Sequence, residues 1–169
     1  MPLTRESELV AFDADAATAG VREATPGVRL VVEYTDESFR TLYADDATLS
    51  LFGDREAMRE YFASVHDYVG IDFAERELFE DTLRAAGDVR AITTHMDRAT
   101  VVRILVGETQ GLFVSVDPDA PVTDLVACVE ETVAETGGVP EGTSESGDGT
   151  DASAADTTAV ESPGGSDDA

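Results

Sequence analysis

The alternation of apolar and polar residues is clearest between Val89 and Asp117, where it predicts three consecutive strands. Val89–Met96 sets Ile92, Thr94 and Met96 on one face. Thr100–Val106 sets Val102, Ile104 and Val106 on one face and Val101, Arg103 and Leu105 on the other. Leu112–Val116 directs Leu112, Val114 and Val116 to a core and Phe113 and Ser115 away from it. The turns are Asp97-Arg98-Ala99 and the segment bracketed by Gly107 and Gly111, residues that take positive φ without steric cost. Apolar residues on both faces of these strands call for a sheet covered on both sides.

The rest of the chain supplies that cover. Thr4 to about Ala24 reads as a helix with Leu9, Phe12, Ala16, Ala19 and Val21 as its stripe and Thr4 or Ser7 as its cap. Thr25-Pro26-Gly27 breaks it. Val28–Tyr34 alternates with Val28, Leu30, Val32 and Tyr34 together, and Phe39–Ala44 alternates again, so the two predict a hairpin ending at Asp45-Asp46. Ala47–Phe52 reads as irregular. Asp54–Val69 is helical, capped by Asp54 and closed by Gly70. Asp72–Ala86 is a second helix with Phe73, Leu78, Phe79 and Leu83 as its apolar side, and Val122–Ala134 is the last, with Leu125, Val126, Val129 and Val133 inward. The expected fold class is α+β, one five-stranded and mostly antiparallel sheet with helices packed on it, in the order α-ββ-αα-βββ-α over residues 1–136. Residues 137–169 hold eight acids, no base and no aromatic, and they are expected to form a disordered acidic tail.

Charge changes the picture. The chain carries 36 acids against 11 bases, every base is Arg, and the formal net charge is −25. Removing the tail still leaves 28 acids against those 11 arginines. Self-repulsion of this size opposes a compact state in dilute buffer, whereas the Debye length of about 3 Å at molar salt removes it. The acidic, lysine-free surface resembles that of proteins from salt-accumulating haloarchaea. The arginines are spread singly from Arg5 to Arg103, so nucleic acid and anionic membranes are not expected as partners. No run of apolar residues is long enough to span a bilayer, and Met1–Phe12 has neither a basic nor an apolar leader segment, so the expected location is cytoplasmic.

Two segments, VRLVVEYTDESFRTLYADD and GDVRAITTHMDRATVVRILVGETQGLFVSVD, resemble a family of small uncharacterised haloarchaeal proteins in which a hairpin ending in an acidic pair precedes helices, a Gly-Asp and the final strands. The element order is also similar to that of the roadblock/LC7 (profilin-like) group. The first resemblance brings no activity with it, and the second implies a sheet with helices on both faces.

Catalytic chemistry has little to stand on. There is no phosphate loop, dinucleotide fingerprint or nucleophile elbow, and no cofactor is called for. His66 with Asp67 and His95 with Asp97 lie in separate elements, so a metal is not expected. Cys128 sits beside an apolar stripe as a small half-buried thiol. Arg103, mid-strand among valines, needs an acid or solvent beside it. The favoured expectation is a non-catalytic interaction or regulatory module with a protein partner or a second copy, docking through Arg103, Phe113 and Val31, with Val101 nearby. The alternative is a small-molecule sensor or small enzyme with a pocket on the sheet built from Tyr34, Tyr43, Arg103 and His95. A third is that the acidic tail recruits a basic partner.

The charge pattern yields a measurable outcome. The midpoint of thermal or urea unfolding should rise steeply from dilute to molar salt, as screening removes the self-repulsion. A midpoint flat across that range would remove the high-salt reading.

Overall fold

The computed structural model describes residues 1–136, and the expected acidic tail lies outside the described residues. Six strands form one antiparallel sheet: β1 (Leu3–Thr4), β2 (Val28–Thr35), β3 (Phe39–Ala44), β4 (Ala91–His95), β5 (Thr100–Val106) and β6 (Gln110–Val116). Their order across the sheet is β1-β3-β2-β6-β5-β4. The helices are α1 (Ala14–Ala24), α2 (Asp46–Phe52), α3 (Arg55–His66), α4 (Val69–Thr82) and α5 (Val122–Glu135), and a short 3₁₀ turn spans Arg84–Ala86. The α+β class and the strand–helix order agree with the sequence reading. The count of six strands rather than five comes from β1, which pairs Leu3 with Ala44 and Thr4 with Tyr43 at the edge of β3.

The two faces of the sheet are covered differently. On one, α1 and α5 bring Ala14, Ala17, Val21, Leu125, Val129 and Val133 onto Val102, Ile104, Leu112, Val114 and Val116 in a continuous core. Most of these side chains are fully buried, and each contributes about 1.5–3 kcal/mol of hydrophobic stabilisation when it is a valine or leucine. The other face holds a smaller cluster, Leu3, Leu30, Val32 and Ala44 under Met58 and Phe62 of α3. Two bulges divide β2 and β3 between these cores. Val28 pairs with Val116 and Leu30 with Ser115, so Arg29 is an extra residue on β2. Val31 then pairs with Tyr43 and Val32 with Thr41, so Leu42 is an extra residue on β3. As a result Val28 and Val31 face α1 and α5, while Leu30 and Val32 face α3. Strict alternation, which puts Val28 with Leu30, fails at the bulge.

Three aspartates begin three helices. Asp13 accepts from the Ala16 amide at 2.8 Å, Asp45 from Thr48 at 2.6 Å and Asp54 from Ala57 at 2.8 Å. The acidic pair Asp45-Asp46 is therefore a cap and a first helical turn, and the expected irregular segment is α2. Likewise α1 starts at Ala14 and not at Thr4, because Asp13 caps it there. Gly70 does not end a helix but lies in the first turn of α4.

Residues 5–12 form a strap instead of a helix, and the buried carboxylate of Glu33 holds it. Glu33 is fully buried mid-strand in β2. Its Oε2 accepts from the Ser7 hydroxyl at 2.7 Å and its Oε1 from the Glu8 amide at 2.9 Å. Arg40, opposite Glu33 on β3, grips the Glu8 carboxylate with two hydrogen bonds of 2.6 and 2.9 Å. Further along, the Ala11 amide donates to Gln110 Oε1 at 2.7 Å. A helix over these residues would withdraw the Ser7 and Glu8 donors from a buried charge, and that penalty outweighs weak helix propensity.

Glu33→Ala should destabilise the fold by about 2–3 kcal/mol in urea titration, because it strands the strap's donors beside a cavity, and Glu33→Gln, which keeps an acceptor, should lose less. A loss within error for the alanine variant would show that the strap is anchored elsewhere.

Candidate functional site

The face of the sheet opposite α1 and α5 is incompletely covered. A cleft of about 700 Å³ opens between the strands and helices α2–α4. Leu30, Val101, Phe113 and Ser115 form its floor, and Phe52, Phe62 and Val65 part of its wall. The aromatic residues of that wall interlock: Phe52 lies 5.2 Å from Tyr61 and 5.8 Å from Phe62, and Phe62 meets Phe113 edge-on at 6.2 Å.

A polar cluster closes one end. Asp72 projects from α4 onto the sheet, where it is 5% exposed and pairs with Arg103 of β5. Arg103 also donates weakly to Thr94 Oγ1 at 3.4 Å, and its Nε is buried without an acceptor. Burial pushes the Asp72 carboxyl up from its ordinary value, against the pull of the Arg103 guanidinium. Tyr34 lies beside this pair with its ring 6.2 Å from Phe73. Burial first and the Asp72 charge second raise its phenol above the ordinary range, and its hydroxyl has no partner among the described residues. Gly111 is required beneath it, since a Cβ there would lie 2.6 Å from the Tyr34 hydroxyl and 2.5 Å from the Ile104 carbonyl oxygen. Gly107, by contrast, serves the turn with a φ of +62°.

Helix α4 is inverted relative to expectation. Its inward positions, spaced three and four apart, are Val69, Asp72, Phe73 and Arg76. Arg76 reaches the Gly107 and Glu108 carbonyls of the β5–β6 turn. The apolar residues Ile71, Leu78 and Phe79 point outward, at 57%, 64% and 44% exposure, and Leu83 follows at 53%. The sequence pattern puts Phe73, Leu78, Phe79 and Leu83 on one apolar side; Phe73 does face the sheet, against Tyr34, and the other three do not. The pattern asks for an acid or solvent beside Arg103 but does not single out Asp72, which turns inward to supply the acid. An arginine centred in a strand, with an acid at helical spacing from valine and phenylalanine, was the available signal.

The residues expected to form a docking surface do not share a face. Arg103 and Phe113 line the cleft, with Val101 beside them. Val31 is fully buried in the opposite core, placed there by the Arg29 bulge, so it is not a surface residue. The four-residue pocket is also not assembled. Tyr34 and Arg103 meet in the cleft, but Tyr43 faces α1, with Arg22 stacked 4.0 Å above its ring. His95 pairs across from Thr100 and bonds to its hydroxyl at 3.0 Å on that same opposite side. His66 donates its Nε2–H to the Thr35 carbonyl at 2.8 Å, tying α3 to the end of β2. The two histidines therefore lie on opposite faces. Among the described residues, no group of three or more metal-binding side chains is placed to hold an ion. Burial raises the Cys128 thiol, with Glu131 and Glu23 adding to it, as suits a packed and unreactive sulfur. No helix among the described residues is long and apolar enough to cross a membrane.

An antiparallel sheet between two unlike helical layers, one closed and one cleft, defines an α+β domain of sheet-and-helix type. The chain belongs to the family described as a domain of unknown function (DUF7522), which matches residues 9–135. Comparison with curated proteins finds no match. Among solved structures, the chain is similar to a Roadblock/LC7 domain from Streptomyces avermitilis, at 15% identity and a TM-score of 0.46, over 69% of this chain and 88% of that one. It is also similar to MglC from Myxococcus xanthus, at 13% identity and a TM-score of 0.43, over 70% of this chain and 91% of that one.

Removing the cation of the cleft's ion pair should show how the acid is held. Arg103→Met leaves Asp72 buried without a counter-charge and should cost about 3 kcal/mol at neutral pH. Its folded pKa then rises further above the unfolded value, so the deficit should shrink as pH falls and Asp72 takes up a proton. Denaturant midpoints at neutral and mildly acidic pH check both signs. A deficit that grows on acidification would contradict the assignment.

Proposed function

We propose that this protein is a non-catalytic interaction or regulatory module of the cytoplasm, working at high salt and docking a protein partner or a second copy through the outer face of α4. The observation that carries this reading is the inversion of α4. A solvent-facing helix of a monomer places its apolar stripe inward. Here Asp72 and Arg76 share the inward positions with Val69 and Phe73, and Ile71, Leu78 and Phe79 are left to solvent. Tyr68, 65% exposed, and Met96, 51% exposed, are further exposed apolar residues, at the mouth of the cleft. Apolar groups gathered in this way on a strongly acidic surface mark an interface.

A sensor reading keeps one supporting observation, the apolar cleft with Tyr34, Asp72 and Arg103 at its end. It takes second place because the unpartnered Tyr34 hydroxyl and Arg103 Nε are themselves covered.

The test is sedimentation velocity of the full chain at molar salt, with and without the double substitution Ile71→Asp and Leu78→Asp. Both side chains are already exposed, so the unfolding midpoint should hold while the assembly dissociates. A chain that sediments as a monomer at every concentration and retains no partner on purification would remove the reading, as would an assembly indifferent to the substitutions.

A further inference from the structure

The eleven arginines are scattered along the sequence, yet four of them meet in space. Arg5 comes from the strap, Arg40 from β3, and Arg55 and Arg59 from the first turns of α3. They line a cavity of about 400 Å³ at the β1–β3 side of the sheet, with Met58 and Phe39 as its apolar part. Among the described residues Glu56 is the one acid that lines it. The balance is reversed relative to the whole chain, where 36 acids face 11 bases. Searching the sequence for a basic cluster could not reveal this, because the four residues come from three separate segments.

Two of the four are already engaged. Arg40 holds Glu8, and Arg59 pairs with Glu56 at 2.6 Å one helical turn away. Arg5 and Arg55 make no ion pair among the described residues. The buried Nε of Arg40 also has no acceptor among the described residues. The Ser38 and Thr41 side chains add hydroxyl donors to the wall. The cavity thus presents more donors than acceptors. The planar forks of guanidinium groups that line one cavity match the oxygens of a phosphate or carboxylate. Met58, 3% exposed, and Phe39 offer an apolar patch against which a small organic body packs. The volume lies within the range of roughly 300–1,000 Å³ common to small-molecule sites.

Two opposing electrostatic effects decide whether an anion can bind. The net charge of −25 repels it at long range, and the arginines attract it at contact. At molar salt the Debye length of about 3 Å erases the first effect and leaves the second, which acts at hydrogen-bond distance. We propose that this cavity is a binding site for a small organic phosphate, whose dianionic head lies between Arg5 and Arg55 and whose body rests on Met58 and Phe39. The site is at the opposite side of the sheet from β4, and it does not depend on the docking role given to α4.

Isothermal titration of the full chain with phenyl phosphate, in constant molar potassium chloride, tests the assignment. The expected result is saturable one-to-one binding that weakens by about tenfold or more, equivalent to roughly 1.4 kcal/mol, in the double variant Arg5→Gln and Arg55→Gln. The variant's unfolding midpoint should match the parent, since neither side chain makes an ion pair. Arg84→Gln, in the 3₁₀ turn away from the cavity, should bind as the parent does. Absence of saturable binding, or equal binding by parent and double variant, overturns the proposal. So does binding of a short single-stranded oligonucleotide when phenyl phosphate does not bind, which would assign the arginines to a nucleic-acid backbone. The sedimentation behaviour of α4 variants is unaffected by any of these results, so the two readings fail separately.

Discussion

Both faces of the three central strands are apolar, and that constraint organises the molecule. Val102, Ile104, Leu112 and Val114 on one side and Leu30, Val32, Val101 and Phe113 on the other all need to leave water. The first side achieves this with α1 and α5, whose alanines and valines let the helices lie close over the strands. The second is roofed by α2–α4, which are richer in aromatic residues and pack less completely. The cleft is the remainder of that incomplete fit. Arg103 sits within the second face, so its roof must carry an acid, and satisfying that demand with Asp72 turns the apolar residues of α4 outward. One charged residue in a strand therefore sets the chemistry of the outer surface one layer away.

The acidic residues do more than maintain charge. Asp13, Asp45 and Asp54 start helices, Glu33 holds the strap, and Asp72 fixes the rotation of α4. Each of these carboxylates has specific donors, so its contribution rests on contact geometry and is weakly sensitive to ionic strength. Others among the described residues, such as Glu77, Asp88 and Asp97, are exposed. Capping and buried carboxylates shape the architecture, while exposed ones cover the surface, some of them paired with arginine as Glu8 and Glu56 are.

The strands were legible because period-two patterning is local and strong. Thr100–Val106 is the strand the alternation predicts, and Val122 begins α5 as its stripe requires. What escaped was decided by interactions distant in sequence. The strap obeys a buried Glu33 some 25 residues away. Val31 changed faces through bulges set by pairing with β3 and β6. The orientation of α4 was hidden because Leu78, Phe79 and Leu83 look like a core stripe until the partner of Arg103 is known. The short α2 was hidden because an acidic pair before it resembles a turn until the Thr48 amide is seen on Asp45. For the candidate site, Tyr34, Arg103 and Phe113 could be named individually, but their convergence with Asp72 could not.

The strap has a consequence for the order in which the molecule assembles. Residues 5–12 are synthesised before the anchors Glu33, Arg40 and Gln110 that hold them. Glu33 and Arg40 follow soon after, but Gln110, which receives the Ala11 amide, lies 99 residues further on. Contacts of such sequence separation form late, after the loop-closure entropy has been offset by other structure. A segment synthesised ahead of its anchors is thus among the last to settle. Until then the carboxylate of Glu33 lacks the Ser7 and Glu8 donors that hold it in the finished fold.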